Sequence, residues 1–356
     1  MASPQLDLLR CATEPPETAV ALWHGLLAAV PLDDFDYPAQ RLLPAVWKNL
    51  KAAGLEFAEE GRLRGVYRQA WARNARLRGA CCAVLDLFDS HQLPALVLKG
   101  LAFNALLYAD QGQRPTSDFD LLVPFERAAE AVSMMHADGW VTPDPSLSPY
   151  ERLHHGMTWK KNDCELDLHF FLLREARLAD SDLPFWREAV SFDLGGGRQA
   201  LTLSPSHHFF HLLVIANREP ENRTRYLLDL HFLARAWRDQ IDPLEVARML
   251  EERHLLSRLA GLPLKGIGLD EVQRQRRPSL TDRAWCEATR TVHDGSHEWH
   301  YLLFPFLDYW LHFRNQPQPG WGFPGYIKRR LEIQGLRDLL KRTGAKLQRM
   351  ASRRWR

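Results

Sequence analysis

The chain has 356 residues, 46% of them hydrophobic and 25% charged, which excludes a disordered chain and allows roughly two or three domains with cores of their own. Its longest apolar stretch, residues 301–313, is interrupted by Pro305 and Asp308 and is shorter than the roughly 20 residues that a membrane-spanning helix needs. The first residues lack the basic segment and apolar block of a secretory signal, so we expect a cytoplasmic protein.

The five cysteines are an odd number and form no CxxC pair, which favours reduced thiols over a disulfide framework or a zinc site. The net charge of +2 is unevenly distributed, because residues 328–356 hold eleven Lys or Arg residues against Glu332 and Asp338. We expect this basic tail either to contact a polyanion, such as RNA, an acidic protein or an anionic membrane, or to be a solvated helical end.

Residues 1–92 have apolar side chains at helical spacing, which predicts a helical amino-terminal region. Its last segment, residues 61–92, carries arginines and one apolar stripe, which consists of Leu77, Ala80, Cys81, Val84, Leu85 and Phe88. Residues 94–100, PALVLKG, form a short apolar run between Pro and Gly, and this indicates a buried strand. Residues 101–109 return to a helical pattern.

The following segments alternate between strand and helix patterns in the order β-α-β-α-β-β. Residues 117–123, SDFDLLV, predict the second strand, and a helix between Pro124 and Gly139 follows it. Two hairpins complete the sheet, and we expect their turns at Asn162–Asp163 and at Gly195–Gly197.

From Ser204 onward the patterns are helical again, and residues 315–326 are rich in Pro and Gly, as in a linker. The sequence therefore predicts an α+β protein with a small mixed sheet between helical regions. We expect four parts, namely a helical region, a sheet core, a second helical region, and a linker with a basic helical tail, over residues 1–92, 93–203, 204–314 and 315–356.

Two aspartates one residue apart, Asp118 and Asp120, interrupt the apolar strand at 117–123. Strand side chains alternate between faces, so both carboxylates lie on one face and repel each other unless a cation or a proton lies between them. The later strand sequence CELDLHF supplies Asp167 on one face, and we expect this strand beside the first. Converging carboxylates predict a Mg²⁺ site, with Glu165 as a rival to Asp167 for the third position.

Cationic and hydroxyl side chains near these aspartates predict a phosphate site. Lys99 and Gly100 open a helix, whose free N–H groups and positive end attract anions. Arg114 and Ser117 lie just before the acidic strand and are further candidates to bind phosphate. A structural ion pair is the alternative for Lys99 and Arg114.

Several other polar residues have two interpretations each. His169 is expected to hydrogen-bond a carboxylate rather than to bind Mg²⁺, which prefers oxygen ligands. His207 and His211 share a helical face at a metal-ligand spacing, but the Glu of an HExxH motif is missing, so we favour packing or an acceptor pocket. Asp229 and Arg225, with Arg223, form either the far wall of a cleft or a structural salt bridge.

The run LVLKGLAFNALLY…RPTSDFDLLV, followed by ELDLHF, resembles the uncharacterised nucleotidyltransferase family of the DNA polymerase β superfamily, over roughly residues 60–235. The resemblance implies that Asp118 and Asp120 bind two Mg²⁺ ions and that Asp167 binds metal and activates the acceptor. It also implies a nucleoside triphosphate donor, which we expect to be ATP. Gly100–Leu101 replaces the usual Gly-Gly or Gly-Ser pair, which leaves phosphate contacts at this turn to backbone amides and Lys99.

We therefore predict a Mg²⁺-dependent transfer of a nucleoside monophosphate to a hydroxyl of an unidentified acceptor. The acceptor is a small molecule, a sugar or peptide intermediate, a protein or an RNA. Two alternatives stay open at this point. One is an inactive module of the same fold that binds a nucleotide or a partner, and the other is a toxin–antitoxin-type nucleotidyltransferase that acts on protein or tRNA.

Overall fold

The structure of the chain is a computed structural model, which describes residues 4–54, 57–143, 154–178, 180–259, 276–289, 300–313 and 322–330. The basic tail after residue 330 and most of the predicted linker at 315–326 lie outside the described residues. Within the described ranges, every helix is too short or too polar to cross a lipid bilayer.

Helices precede the sheet, as the apolar spacing of residues 1–92 predicts. The described ones are α1 (Pro4–Thr13), α2 (Pro16–Ala29), α3 (Tyr37–Gln40), α4 (Leu43–Ala52) and α5 (Glu60–Ser90). Proline in the first turn of α2, α3 and α4 suits a position whose N–H has no helical partner. The predicted stripe on α5 packs into the core below the sheet, with Leu77, Cys81, Val84 and Phe88 each almost wholly buried.

The sheet has six described strands in the order β3-β4-β2-β1-β6-β5. Their bounds are β1 (Leu96–Leu98), β2 (Phe119–Leu122), β3 (Gly156–Lys161), β4 (Cys164–His169), β5 (Val190–Asp193) and β6 (Gln199–Thr202). β2 pairs with β4 and β1 pairs with β6 in parallel, whereas the other pairs are antiparallel. The predicted α+β class with a small mixed sheet is therefore confirmed.

Both predicted hairpin turns are confirmed, and their backbone conformations explain the residues found there. Asn162 and Asp163 have φ values of 49° and 59°, in the left-handed region that Asn and Asp tolerate. Gly195, Gly196 and Gly197 also have positive φ, which glycine adopts at little cost. Each turn lets two successive strands pair antiparallel.

The connecting helices are α6 (Lys99–Leu106), α7 (Ala128–Ala137) and α8 (Leu183–Arg187). Two predicted boundaries are wrong. α6 begins at Lys99 rather than 101, directly after β1. β2 begins at Phe119 rather than 117, because the carbonyl oxygens of Thr116 and Ser117 accept hydrogen bonds from the side chain of Arg73 instead of joining a strand ladder.

The described helices after the sheet are α9 (Pro205–Arg218), α10 (Arg223–Trp237), α11 (Pro243–Glu252), α12 (Leu280–Ala288), α13 (His300–Asp308) and α14 (Phe323–Arg330). Leu96 of β1 and Phe103 of α6 share one hydrophobic core with Phe209 of α9 and Leu230 of α10. This packing holds α9 and α10 against the sheet on the side where β1 ends.

Two glycines without close neighbours, one after a helix end and one within a helix, test the backbone conformations described above. Gly139 ends α7 with φ +81°, and a Cβ added there meets open space among the described atoms. Gly139→Ala should therefore lower the free energy of unfolding by about 1 kcal/mol through backbone strain alone. Gly79→Ala, on the exposed face of α5, should raise it by a similar amount because alanine favours the helix interior.

Urea unfolding of both variants against wild type measures these effects. Effects of the same sign at the two positions would contradict the assigned backbone conformations.

Candidate active site

A cavity of about 180 Å³ lies beside β1, β2 and β4 and is lined almost wholly by polar side chains. It contains all seven site residues predicted from the sequence, namely Lys99, Gly100, Arg114, Ser117, Asp118, Asp120 and Asp167. Its remaining described walls are Arg41, Thr116, Glu219, Asn222, Arg225 and Tyr226. The chain thus gathers cations and carboxylates from the amino-terminal helices, the sheet and α10 around one space.

The parallel pairing of β2 with β4 brings the carboxylates together. Asp120 and Asp167 are direct partners in the register of the two strands, and Asp118 lies just before β2. The rival Glu165 pairs with Lys160 at 2.9 Å and is outside the cavity as the described residues define it. Asp167, not Glu165, is therefore the β4 carboxylate beside the aspartate pair.

Lys99 neutralises the most buried of these carboxylates. Its Nζ lies 2.7 Å from Oδ1 of Asp120, and Nε2 of His169 lies 3.1 Å from the same oxygen. Burial opposes ionisation of Asp120, but the charge of Lys99 and the hydrogen bond to His169 hold its pKa well below its ordinary value. Lys99 has φ +40°, an unusual backbone conformation for a non-glycine residue, at the sharp turn from β1 into α6.

The other two carboxylates lack such close cationic partners and are harder to ionise. Burial, together with the charge of Asp120, raises the pKa of Asp118 to about 6. Burial and Asp120 also raise the pKa of Asp167. Hydroxyl groups orient both side chains, since Ser117 donates to Asp118 at 3.2 Å and Thr158 donates to Asp167 at 2.7 Å. A cation placed here would relieve the repulsion.

Gly100 is required by packing. A Cβ built on it would lie 2.6 Å from Cγ2 of Thr116, closer than van der Waals contact allows. The loop before β2 can therefore approach the start of α6 only because residue 100 has no side chain. Leu101, the position that departs from the superfamily pattern, is buried in the core below the sheet.

Arg114 forms the structural ion pair that the sequence left open as an alternative. Its Nε and Nη2 donate to the two carboxylate oxygens of Asp229 at 2.7 and 2.8 Å, and both side chains are almost wholly buried. Tyr108 donates to the same carboxylate at 2.6 Å. Arg114 thus lines the cavity, but its guanidinium group is already paired with Asp229 of α10. Asp229 holds Arg114 in place and does not itself line the cavity as the described residues define it.

Several residues of this site escaped the sequence reasoning. Asn74 of α5 donates to the carbonyl of Arg114 and accepts from the N–H of Thr116, and with Arg73 it fixes the loop before β2. Glu219 and Tyr226 line the cavity and are joined by a hydrogen bond. Asn74 and Arg73 carry no sequence signal beyond a helical pattern, because their partners are about 40 residues away along the chain.

The histidines separate into different surroundings. His169 hydrogen-bonds Asp120, as predicted. His211 is buried, and burial, followed by the charges of Lys99 and Arg218, lowers its pKa well below the ordinary value. His207 lies instead beside Glu188 and Glu245. Both His207 and His211 are buried, in line with the packing role that the sequence favours for them over a shared metal.

The donor set of the cavity fits a divalent cation. Asp120, Asp167 and His169 each present a ligand atom within 4.8 Å of the others, and Asp118 lines the same space. Carboxylate oxygens are the ligands that Mg²⁺ prefers. Burial first, and then the charge of Asp120, raise the pKa values of Asp118 and Asp167, and a cation bound beside them would oppose both effects.

A comparison with protein families identifies the class of protein to which this mixed sheet and its acidic cavity belong. A family model described as uncharacterised nucleotidyltransferase matches residues 38–264, more than half of the chain. The chain therefore belongs to this family, as its motifs predict, and the match is longer than the predicted 60–235.

Other comparisons add little. A solution structure of the antibiotic-resistance factor ANT(2'')-Ia matches with a TM-score of 0.35 and 19% identity, over 51% of this chain and 98% of that one. This likeness is too low to inform the site. A search of curated proteins gives no significant match.

The pKa of Asp118 generates a test of the repulsion. Because its folded value of about 6 exceeds the unfolded value of about 3.9, the folded state loses stability as the pH rises from about 4 to 6. Asp118→Asn removes this loss. In the presence of EDTA, the variant should be more stable than wild type by about 3 kcal/mol at pH 7.5 and close to it near pH 4.

Urea unfolding at the two pH values measures the difference. Glu165→Gln removes a partly exposed carboxylate outside the cavity and is the matched control, which should change stability by less than about 1 kcal/mol at either pH. A variant Asp118→Asn less stable than wild type at pH 7.5 would contradict the raised pKa of Asp118.

Proposed function

We propose that this chain is a Mg²⁺-dependent enzyme that transfers a nucleoside monophosphate from a nucleoside triphosphate, with ATP as the donor, to an acceptor hydroxyl. The observation that supports it is one cavity lined by all seven residues that the sequence selected for metal and phosphate binding. Membership of the nucleotidyltransferase family supports the same reaction class. The acceptor and the cytoplasmic location stay predictions.

Two arginines of the cavity suit the triphosphate. Arg41, which the sequence reasoning missed, contacts the neutral Asn222, and Arg225 contacts the neutral hydroxyl of Tyr226. A guanidinium group whose partners are neutral keeps its charge and its planar set of donors for phosphate oxygens. Arg114 is already paired with Asp229. Arg41 and Arg225 are therefore the proposed phosphate ligands beside Lys99.

The space available is consistent with a nucleotide. The cavity alone, at about 180 Å³, is smaller than the 300 Å³ or more typical of ligand pockets. A groove of about 250 Å³ adjoins it and shares Arg41, Thr116 and Ser117, with Tyr37 and Gln69 among its further walls. We assign the phosphates to the cavity and the nucleoside or the acceptor to the groove.

Asp167 is the proposed general base. Its carboxylate lies beside Asp120 in the strand register, and the hydrogen bond from Thr158 fixes its orientation for accepting a proton. The acceptor oxygen forms a bond to the α-phosphorus, the bond to the bridging oxygen breaks, pyrophosphate leaves, and the hydroxyl proton passes to Asp167. Mg²⁺ held by Asp118, Asp120 and Asp167 supplies charge neutralisation for the triphosphate.

Lys99 has a part in this proposal because it occupies the oxygen of Asp120 that a cation would use. Transfer of its ammonium group from Asp120 to a phosphate would free that oxygen when substrate binds. The same ion pair favours a second candidate, a module of this fold that binds nucleotide without chemistry, if Lys99 stays on Asp120.

Release of pyrophosphate from each nucleoside triphosphate, in cell extract as the source of acceptor, tests the proposal. Asp120→Asn and Asp167→Asn should each lower the rate by at least about 10³-fold, since catalysis here depends on positioning and charge neutralisation. Glu165→Gln, on the same face of β4 but outside the cavity, is the matched control and should retain the wild-type rate.

Equal rates for Asp167→Asn and Glu165→Gln would contradict the role of Asp167. Nucleotide binding that is independent of Mg²⁺, without pyrophosphate release, would favour the binding module.

A further inference from the structure

A second group of potential metal ligands lies apart from the acidic cavity. It consists of Glu188, which directly follows α8, His207 in the first turn of α9, and Glu245 in the first turn of α11. The three residues come from three elements separated along the chain, and each presents one ligand atom within 4.8 Å of the others. Their convergence is therefore a product of the fold and not of a local sequence motif.

The distances in this group do not fit hydrogen bonds. Nε2 of His207 lies 3.6 Å from a carboxylate oxygen of Glu188 and 3.6 Å from one of Glu245. Hydrogen bonds between nitrogen and oxygen are about 2.7 to 3.2 Å long. By contrast, two ligands about 2.1 Å from one tetrahedral zinc ion are about 3.4 Å apart, close to both observed separations.

The buried side chain of His207 distinguishes this group from two neighbouring surface carboxylates. Its side chain is 0% exposed, and among the described residues both of its ring nitrogens lack a hydrogen-bond partner. A buried polar group without a partner is costly, so its retention calls for an explanation. Nε2 lies at the same distance, 3.6 Å, from one oxygen of each carboxylate, and an ion between the three atoms would give it a partner.

The protonation of the group agrees with a metal ligand set. Burial, together with the charges of Arg253 and Arg248, lowers the pKa of His207 to about 4, so its imidazole is neutral at neutral pH. A neutral imidazole is the form that binds metals. Burial and, to a smaller extent, the charge of Glu188 raise the pKa of Glu245, and a bound cation would offset both.

We propose that Glu188, His207 and Glu245 form a site for a divalent transition-metal ion, with Zn²⁺ as the best match. One imidazole and two carboxylates suit zinc, whereas Mg²⁺ prefers oxygen ligands alone. In the acidic cavity Nε2 of His169 is already hydrogen-bonded to Asp120, whereas among the described residues both ring nitrogens of His207 lack a partner. Three protein ligands leave a fourth position for water, and the half-exposed Glu188 gives the ion a path from solvent. The ion joins the end of α8, which leads into β5, to α9 and α11.

Zinc titration by calorimetry on the full-length chain, stripped with EDTA and held in excess Mg²⁺, tests this site. Wild type should bind one Zn²⁺ that Glu188→Gln and Glu245→Gln each weaken by at least about tenfold. The melting temperature of wild type should rise with Zn²⁺, and that of the two variants should rise less. Both substituted side chains are partly exposed, so the variants are expected to fold.

Two controls separate this site from its surroundings and from the acidic cavity. Glu251→Gln removes an exposed carboxylate of α11 outside the group and should leave zinc binding unchanged. Asp120→Asn alters the acidic cavity and should also leave it unchanged, so failure of the proposed reaction would not affect this test. Full zinc affinity in either Glu188→Gln or Glu245→Gln, or zinc binding that depends on Asp120 instead, would overturn the proposal.

Discussion

The parallel pairing of β2 with β4 is the constraint on which the candidate site depends. It makes Asp120 and Asp167 direct neighbours on one face of the sheet, while Phe119 and Leu166 fill the core on the other. A shift of one residue in this register would exchange the two faces and bury the carboxylates among apolar side chains. The apolar alternation therefore fixes the register, and the register in turn forces negative charges together.

Other residues of the site neutralise, or make room for, the negative charge that this strand pairing concentrates. Lys99, held by an unusual backbone conformation at the end of β1, neutralises Asp120, and the glycine after it lets the loop before β2 approach. A buried pair between Arg114 and Asp229 ties that loop to α10, and breaking such a pair by removing one partner leaves a costly buried charge. The cavity is thus preorganised by contacts outside it, as a site that works through positioning requires.

The sequence predicted what depends on local patterns. Period-two alternation was sufficient to find β2, β4 and the faces that carry Asp120 and Asp167, and turn residues located both hairpins. Alternation alone left Glu165 and Asp167 equivalent, since only the register of the neighbouring strand distinguishes them. Ion pairs between distant segments, such as Arg114 with Asp229, 115 residues apart, have no local signal. The same reason explains why Arg41 and the group around His207 became apparent only in the folded chain.

In the proposed reaction the three carboxylates bind divalent cations that also contact the triphosphate, all within one cavity. A crystal structure with Mn²⁺ and a non-hydrolysable analogue of ATP tests it most directly, because the anomalous signal of manganese locates the ion independently of the protein. We expect manganese at Asp118, Asp120 and Asp167, with the ammonium group of Lys99 moved from Asp120 to a phosphate oxygen. A bound nucleotide with no manganese at these carboxylates, and Lys99 still paired with Asp120, would contradict it.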